Sequence, residues 1–390
     1  MSTIKKLYLD ISMLSVFRAL LEKTLIANFI GFSSAKTVEE KANSYAKMVS
    51  EIYSSGGSLT EAVRRLIFED ENVYVKTVAL GKQVAEPILT AASYELAVLS
   101  SFASLTADDF SEELSLEYLP PFSSEKCDFV SEYESRLNNI QTFGYGIFAS
   151  YPMFRLDNKG EISPIASADK VSIDSFIGYD DERALVLENT RSFVMGKPSA
   201  NVLLYGDAGT GKSSTVKATV NYFYNEGLRL IELRKDQLHF LPDIMTRIVE
   251  NPLRFIIFID DLSFNKNDDN FSMLKAALEG SASVKASNAL IYATSNRRHI
   301  VKETFDDREG GDVHRNDTTQ EKLSLSERFG LSVLFQKPTK QLYLKIVHAL
   351  AEKHSVNMEP AQLDIKAEEF ALRKGNRSPR CAEQFIKSLL

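Results

Sequence analysis

Residues 201–214 read NVLLYGDAGTGKSS. An apolar run, Asn201–Tyr205, passes into Gly206-Asp207-Ala208-Gly209-Thr210-Gly211-Lys212-Ser213, and a helical pattern follows. This is the G-x-x-x-x-G-K-[ST] spacing, in the strand–loop–helix context that the motif requires. The residue types follow from the chemistry. Three glycines let the backbone curl so that successive N–H groups face phosphate oxygens. The following helix adds its positive N-terminal end. Lys212 can reach the β- and γ-phosphates, the Ser213 hydroxyl can ligate magnesium, and Ser214 is counted with the loop residues that bind the nucleotide. A glycine-rich turn without a ligand is the plainer alternative. Spacing, context and the Lys-Ser pair together favour nucleotide binding.

Downstream, the apolar run Phe255–Ile259 ends in Asp260-Asp261, about 50 residues after the loop. Asp260 would hold magnesium, directly or through water. Asp261 would orient or deprotonate an attacking water. Paired acids at a strand end are common, so their place after a phosphate loop is what favours function. Another run, Ala289–Ala293, leads into Thr294-Ser295-Asn296-Arg297-Arg298. Asn296, with Thr294 second, is a candidate to hold the water; it reads equally as a turn former. Arg328, in Ser326-Glu327-Arg328-Phe329-Gly330, could serve a neighbouring subunit's γ-phosphate. The residues alone favour a surface or Glu-paired arginine there. Arg380, where Gly375-Asn-Arg-Ser-Pro-Arg380 opens the final helix, either reaches back to the nucleotide or is a solvated charge.

The apolar runs Asn201–Tyr205, Leu228–Leu233, Phe255–Ile259, Ala289–Ala293 and Leu331–Phe335 alternate with helical segments. That grammar indicates an α/β domain with a largely parallel, helix-covered sheet. From about residue 338 the chain reads as helices only. The expected division is a mainly helical N-terminal region, 1–170, an α/β core, 171–336, and a helical lid, 337–390. The N-terminal region should hold helices at 38–54, 58–69 and 86–104. Leu14, Phe17, Leu21 and Leu25 suggest one further amphipathic helix. Residues 105–125 read as a linker or exposed loop, and 302–321 as a charged loop. A hairpin, with strands at Phe148–Leu156 and Glu161–Pro164 around a turn at Asp157–Gly160, is placed before the boundary.

The 390 residues are 44% hydrophobic and 25% charged, which excludes a disordered or collagen-like chain. Residues 1–150 hold 20 acids and 13 bases, whereas 151–390 hold 33 of each. Neither part carries the basic excess of a strong electrostatic nucleic-acid binder. Cys127 and Cys381 fit no metal or redox spacing, and a disulfide framework is excluded. A reducing cytoplasm fits. The five histidines lack metal-site spacing. The apolar stretch Ile11–Ile30 is interrupted by Arg18, Glu22 and Lys23, and reads neither as a spanning helix nor as a signal peptide. No membrane association is expected.

Taken together, residues 172–390 resemble the AAA+ class of P-loop ATPases. The stretches NVLLYGDAGTGKSS, DDLSF, LIYATSNRRH, EKLSLSERFGL and RSPR-x-A-x-QF are similar to an uncharacterised bacterial AAA+ family. The resemblance implies that Lys212 and Ser213 bind phosphate and magnesium, and that Asp260 and Asp261 are the magnesium and catalytic acids. It makes Asn296 the sensor-1 residue, Arg328 an arginine finger and Arg380 the sensor-2 arginine. Ile177 and Gly178 resemble the segment that packs on adenine. The implied cofactors are ATP and Mg2+. The implied activity is ATP hydrolysis in a head-to-tail homo-oligomer such as a ring, acting on an unknown protein client. Most of the class carries Asp-Glu where this chain has Asp-Asp, which points to slow turnover. The alternative is an ATP-dependent binding switch or loader-like protein with negligible hydrolysis, nucleic acid being one partner open to it. A third reading, a decayed structural loop, conflicts with intact Lys212, Ser213 and Asp260.

Overall fold

The structure, a computed structural model, describes residues 3–166, 171–263, 269–279, 287–296 and 327–390. The expected loop at 302–321 lies outside them. Contacts divide the chain into two compact units, Met1–Ser150 with Glu250–Pro252, and Tyr151–Val249 with Leu253–Leu390.

The first unit is helical. Helices at Val38–Ser54, Leu59–Glu69 and Glu86–Ala103 occupy the segments expected from periodicity. Thr37 and Glu40 form a reciprocal capping box at the first. Ser58 accepts from the Glu61 N–H at the second. Two expectations are corrected. Residues 105–125 are not all loop, because Asp108–Leu114 is a helix. Phe110 and Leu114 are buried there, and Phe110 packs on Phe32 and Tyr45 with ring centroids 5.1 and 5.2 Å apart. That apolar burial pulls an acidic segment into the core.

The stretch around Leu14–Leu25 is also not one helix. Thr3–Ser12 is a helix, Arg18–Glu22 a 3₁₀ turn and Thr24–Ser34 a second helix. The break has a distant cause. The buried Glu95 carboxylate accepts from the N–H groups of Ser15, Val16 and Phe17, at 2.8, 3.0 and 2.9 Å. It also accepts from the Ser15 hydroxyl at 2.6 Å. Three amides that would otherwise start a helix unsatisfied are held by one charged side chain.

Among the described residues the second unit holds a seven-stranded sheet. Its strands are β1 (Met153–Leu156), β2 (Ile162–Pro164), β3 (Val202–Gly206), β4 (Leu228–Leu233), β5 (Arg254–Ile259), β6 (Ala289–Ser295) and β7 (Leu331–Phe335). Their order is β2-β1-β4-β5-β6-β3-β7, and every pair is parallel except β1 with β2. The five expected runs are β3 to β7. The hairpin forms, but β1 starts at Met153 and pairs with β4, setting Phe154 opposite Ile231. The hairpin therefore belongs to the sheet. The contact boundary falls at Ser150 and Tyr151 rather than near 170.

β5 is buried from Phe255 through Ile259, as a central parallel strand covered on both faces requires. Helices Asp180–Val194 and Lys212–Phe223 contribute Val186, Phe193, Val216, Val220 and Phe223 to the core against the sheet. Three further helices, Lys340–Lys353, Pro360–Lys374 and Pro379–Lys387, close on their own core of Tyr343, Val347, Ala367 and Phe385. This small helical lid follows the sheet directly. No single described helix is long and apolar enough to cross a membrane.

Glu95→Ala would strand three backbone amides in the first unit. The Phe17 N–H is the buried one of the three, and at about 1–3 kcal/mol for an unpaired buried donor a loss of about 1–3 kcal/mol is expected. Urea denaturation checks it; an unmoved transition would deny Glu95 this role.

Candidate functional site

The polar residues of the sequence motifs emerge at the carboxyl ends of β3, β6 and β5, which lie side by side. In a parallel α/β sheet that edge is where ligands bind. Register sets the meeting point, since Ala293 of β6 lies opposite both Leu203 of β3 and Ile259 of β5.

The loop after β3 is shaped by its neighbour strand. Gly206 has φ +127°, and a Cβ there would stand 2.2 Å from the Phe335 carbonyl oxygen. Only glycine permits that approach. Asp207 donates its N–H to the same oxygen at 3.0 Å, and its carboxylate accepts from the Lys337 N–H at 2.8 Å. The Thr210 hydroxyl donates to the Asp207 carbonyl at 2.9 Å. Helix Lys212–Phe223 then begins, with Gly211 in the left-handed region as its cap.

Lys212 is buried, and its ammonium makes three bonds. The acceptors are the carbonyls of Gly206 (2.9 Å) and Asp207 (2.7 Å) and the side-chain oxygen of Asn296 (3.1 Å). Burial lowers the Lys212 pKa, and the carboxylates of Asp207, Asp261 and Asp260 oppose that shift. Asn296 turns its amide N–H₂ to Asp261 at 2.8 Å. Asp261 sits at φ +51°, and its N–H is held by the Thr294 hydroxyl at 2.9 Å. Ser213 donates to Asp260 Oδ1 at 2.6 Å, and Thr294 donates to the same atom. One hydrogen-bonded chain thus runs through Lys212, Asn296, Asp261, Thr294, Asp260 and Ser213.

Ser213 and Asp260 fit a magnesium site. Ligands in adjacent octahedral positions at about 2.1 Å from the ion lie about 3.0 Å apart. The Ser213–Asp260 pair is already at 2.6 Å. Among the described residues no donor reaches Asp260 Oδ2. Two protein oxygens leave the remaining positions to phosphate and water, as magnesium prefers.

Beside the loop opens a cavity of about 370 Å³, within the range of small-ligand sites. Gly209, Thr210, Gly211 and Ser214 line one part of it, and Ile177, Ile346, Leu350 and Arg380 another. The Arg380 N–H also donates to the Gly209 carbonyl at 3.3 Å, tying the lid to the loop. Gly178, at φ +74°, faces lid residue Leu342, where a Cβ would come within 2.5 Å. The carboxylate of Asp207 is engaged at the strand-to-lid connection.

Arg328 is not brought to this cluster. Leu331 of β7 pairs with Val202 and Phe335 with Gly206, so Arg328 precedes the opposite end of the strand from the loop. The five residues of β7 alone span about 13 Å. Ser326, Arg297 and Arg298 lie outside the described residues.

Two contributors have no motif. Tyr179 stacks on Phe335, with centroids 5.4 Å apart, and donates its hydroxyl to the Gln336 carbonyl at 2.6 Å. Burial pushes its phenol up to about 12, so it keeps the proton it donates. Arg183 is buried and lines the cavity. Their only sequence signal is proximity to Ile177-Gly178.

A P-loop after a parallel strand, an acidic strand end, a polar strand between them and a helical lid make up an α/β P-loop fold of the AAA+ type. The model of the family described as "Protein of unknown function (DUF815)" matches residues 149–390, and the chain belongs to that family. No curated protein matches the sequence. Among solved structures, a single-residue variant of Thermotoga maritima RuvB is 19% identical with a TM-score of 0.38, covering 55% of this chain and 63% of its own. The Thermotoga maritima RuvB Holliday junction branch migration motor is 16% identical with a TM-score of 0.35, covering 56% and 71%. The chain thus spans less than two thirds of the length of the first of these.

Gly206→Ala must push the loop off the Phe335 carbonyl. A cost of at least about 2 kcal/mol is expected, lowering the melting temperature by about 4 °C or more. Calorimetry of the full chain checks this; an unchanged transition would show that the close approach is not required.

Proposed function

We propose that the chain binds ATP with magnesium at the phosphate loop and hydrolyses it to ADP and phosphate. Turnover would be coupled to movement of the lid within an oligomer. The observation that carries this reading is the single hydrogen-bonded chain joining Lys212, Asn296, Asp261, Thr294, Asp260 and Ser213.

The roles follow from charge and position. Lys212 would exchange its carbonyl and amide acceptors for β- and γ-phosphate oxygens. Ser213 and Asp260 would hold the magnesium, which supplies charge neutralisation for the phosphates. Asp261 would accept the proton of the attacking water, and Asn296, already on the Asp261 carboxylate, would fix that water's direction. Arg380 on the cavity wall would sense the nucleotide from the lid. The register leaves Arg328 remote from its own loop, so any contact with a γ-phosphate requires a second subunit arranged head to tail. The acidic first unit is the module proposed to recognise a protein client. Balanced charge in residues 151–390 speaks against nucleic acid as the main partner. A cytoplasmic location suits the two free cysteines.

One observation favours a second reading, a switch that binds ATP and turns over little by itself. The Asp261 carboxylate is short, its backbone is held left-handed, and Asn296 already occupies it. Water then competes with an existing bond.

Asp261→Asn should keep ATP affinity within about threefold while slowing turnover 100-fold or more, since a general base contributes about 10²–10⁴. Arg328→Ala should also be slow. Mixing the two variants should restore part of the rate, because one subunit keeps the base and its neighbour the arginine. No recovery, with turnover per subunit independent of protein concentration, would contradict shared sites. Tight ATP binding without turnover at any concentration would favour the switch.

A further inference from the structure

Arg183 is a buried charge that the phosphate chemistry leaves unused. It lies in the first turn of helix Asp180–Val194. Its side chain is 7% exposed. Among the described residues its side chain has one hydrogen bond, to Asp180 Oδ1 at 3.4 Å, and that partner's side chain is 79% exposed. A guanidinium carries five N–H donors in a rigid plane. One long contact leaves most of the fork's donors open to the cavity that the side chain lines, where a ligand could take them. Burial pulls its pKa below the ordinary value, against the pull of Asp180 and Glu182.

The surroundings say what is missing. Arg183 lines the same cavity as Gly209, Thr210 and Gly211. Its guanidinium carbon lies 5.0 Å from the centroid of the Phe176 ring. Phe176 is also on the cavity wall, next to Ile177, and lid residues Ile346 and Leu350 add further apolar surface. A phosphate has no use for that wall. A flat heterocycle with ring-nitrogen acceptors does: its faces take the apolar contacts and its edge takes the donors. An arginine held over an aromatic ring can still donate its N–H groups to such an edge.

We propose that Arg183 reads the nucleobase, donating from its guanidinium to acceptor nitrogens of a purine ring packed against Ile177, Ile346 and Leu350. The proposal rests on nucleotide binding at the phosphate loop and adds the residue that makes this binding depend on the base. Arg183 can donate only, so it rewards ring acceptors. The phosphate loop, which meets only the triphosphate, cannot make that distinction.

The test compares Mg-ATP with Mg-tripolyphosphate, which presents the phosphates without a base, by isothermal titration of the full chain. The wild type should bind ATP more tightly. Arg183→Met keeps an unbranched apolar stem on Phe176. It should weaken ATP about 10- to 100-fold, the worth of a lost charge-assisted bond, and leave tripolyphosphate unchanged. Arg183→Lys keeps the charge without the planar fork and should fall between. Melting of both variants without nucleotide reports whether they fold. A readout needing no variant is the wild type with 1-deaza-, 3-deaza- and 7-deaza-ATP, at least one of which should lose about 10-fold or more.

Equal weakening of ATP and tripolyphosphate would make Arg183 a phosphate or structural residue and overturn the proposal. So would undiminished binding of all three deaza analogues, or a wild type that binds ATP no better than tripolyphosphate. A wild type that binds neither would instead strike the phosphate-loop reading itself.

Discussion

The second unit is organised around one buried ammonium. Lys212 reaches the closed end of its loop and finds only oxygens there, two carbonyls and the Asn296 amide. An ammonium has three donors, and all three are used. The cost of burying the charge is offset locally, and the offset links three strand ends. Through Asn296 the ammonium fixes Asp261, through Asp261 it meets Thr294, and through Thr294 it meets Asp260 and Ser213. A triphosphate entering the loop supplies stronger acceptors than any of the three. Under the proposed function its arrival would release Asn296 as well as fill the loop, and would change the setting of Asp261.

The same loop is attached to the lid at two points. Phe335, Gln336 and Lys337 form the connection from β7 to the lid helices. Asp207 binds Phe335 and Lys337, and Tyr179 binds Gln336. Gly206 meets Phe335 too closely for any side chain. Across the cavity, the Arg380 N–H binds the Gly209 carbonyl. A shift of the loop by a fraction of an ångström must strain these contacts, since packed elements re-seat rather than deform continuously. The lid is thus mechanically joined to the place where phosphate would sit.

Much of this was legible in the sequence. Strands β3 to β6 are short and largely buried, so they read as mainly apolar runs between helices, and the edge strand β7 still does so although Ser332 and Leu334 are exposed. The phosphate loop is read directly because its glycines, lysine and serine are set by local backbone chemistry. The misplaced features depend on distant partners. β1 is a four-residue strand whose membership of the sheet depends on β4, more than seventy residues later, so the boundary appeared too far along the chain. The helix expected across Leu14–Leu25 is broken by Glu95, eighty residues away. Arg183 and Tyr179 belong to no motif. What marks them is burial beside a cavity, and burial is a property of the fold.

Phosphate binding at this loop requires Lys212 to be exchangeable, its present acceptors being placeholders for phosphate. Isothermal titration of Mg-ATP into the full chain, alongside Lys212→Ala, tests this most directly. The wild type should bind one ATP per chain, and the variant should lose at least about 100-fold in affinity while remaining folded, as loss of a desolvated charge on phosphate implies. Equal affinity and stoichiometry in both would contradict the account, leaving the loop as a turn whose lysine serves only its own carbonyls.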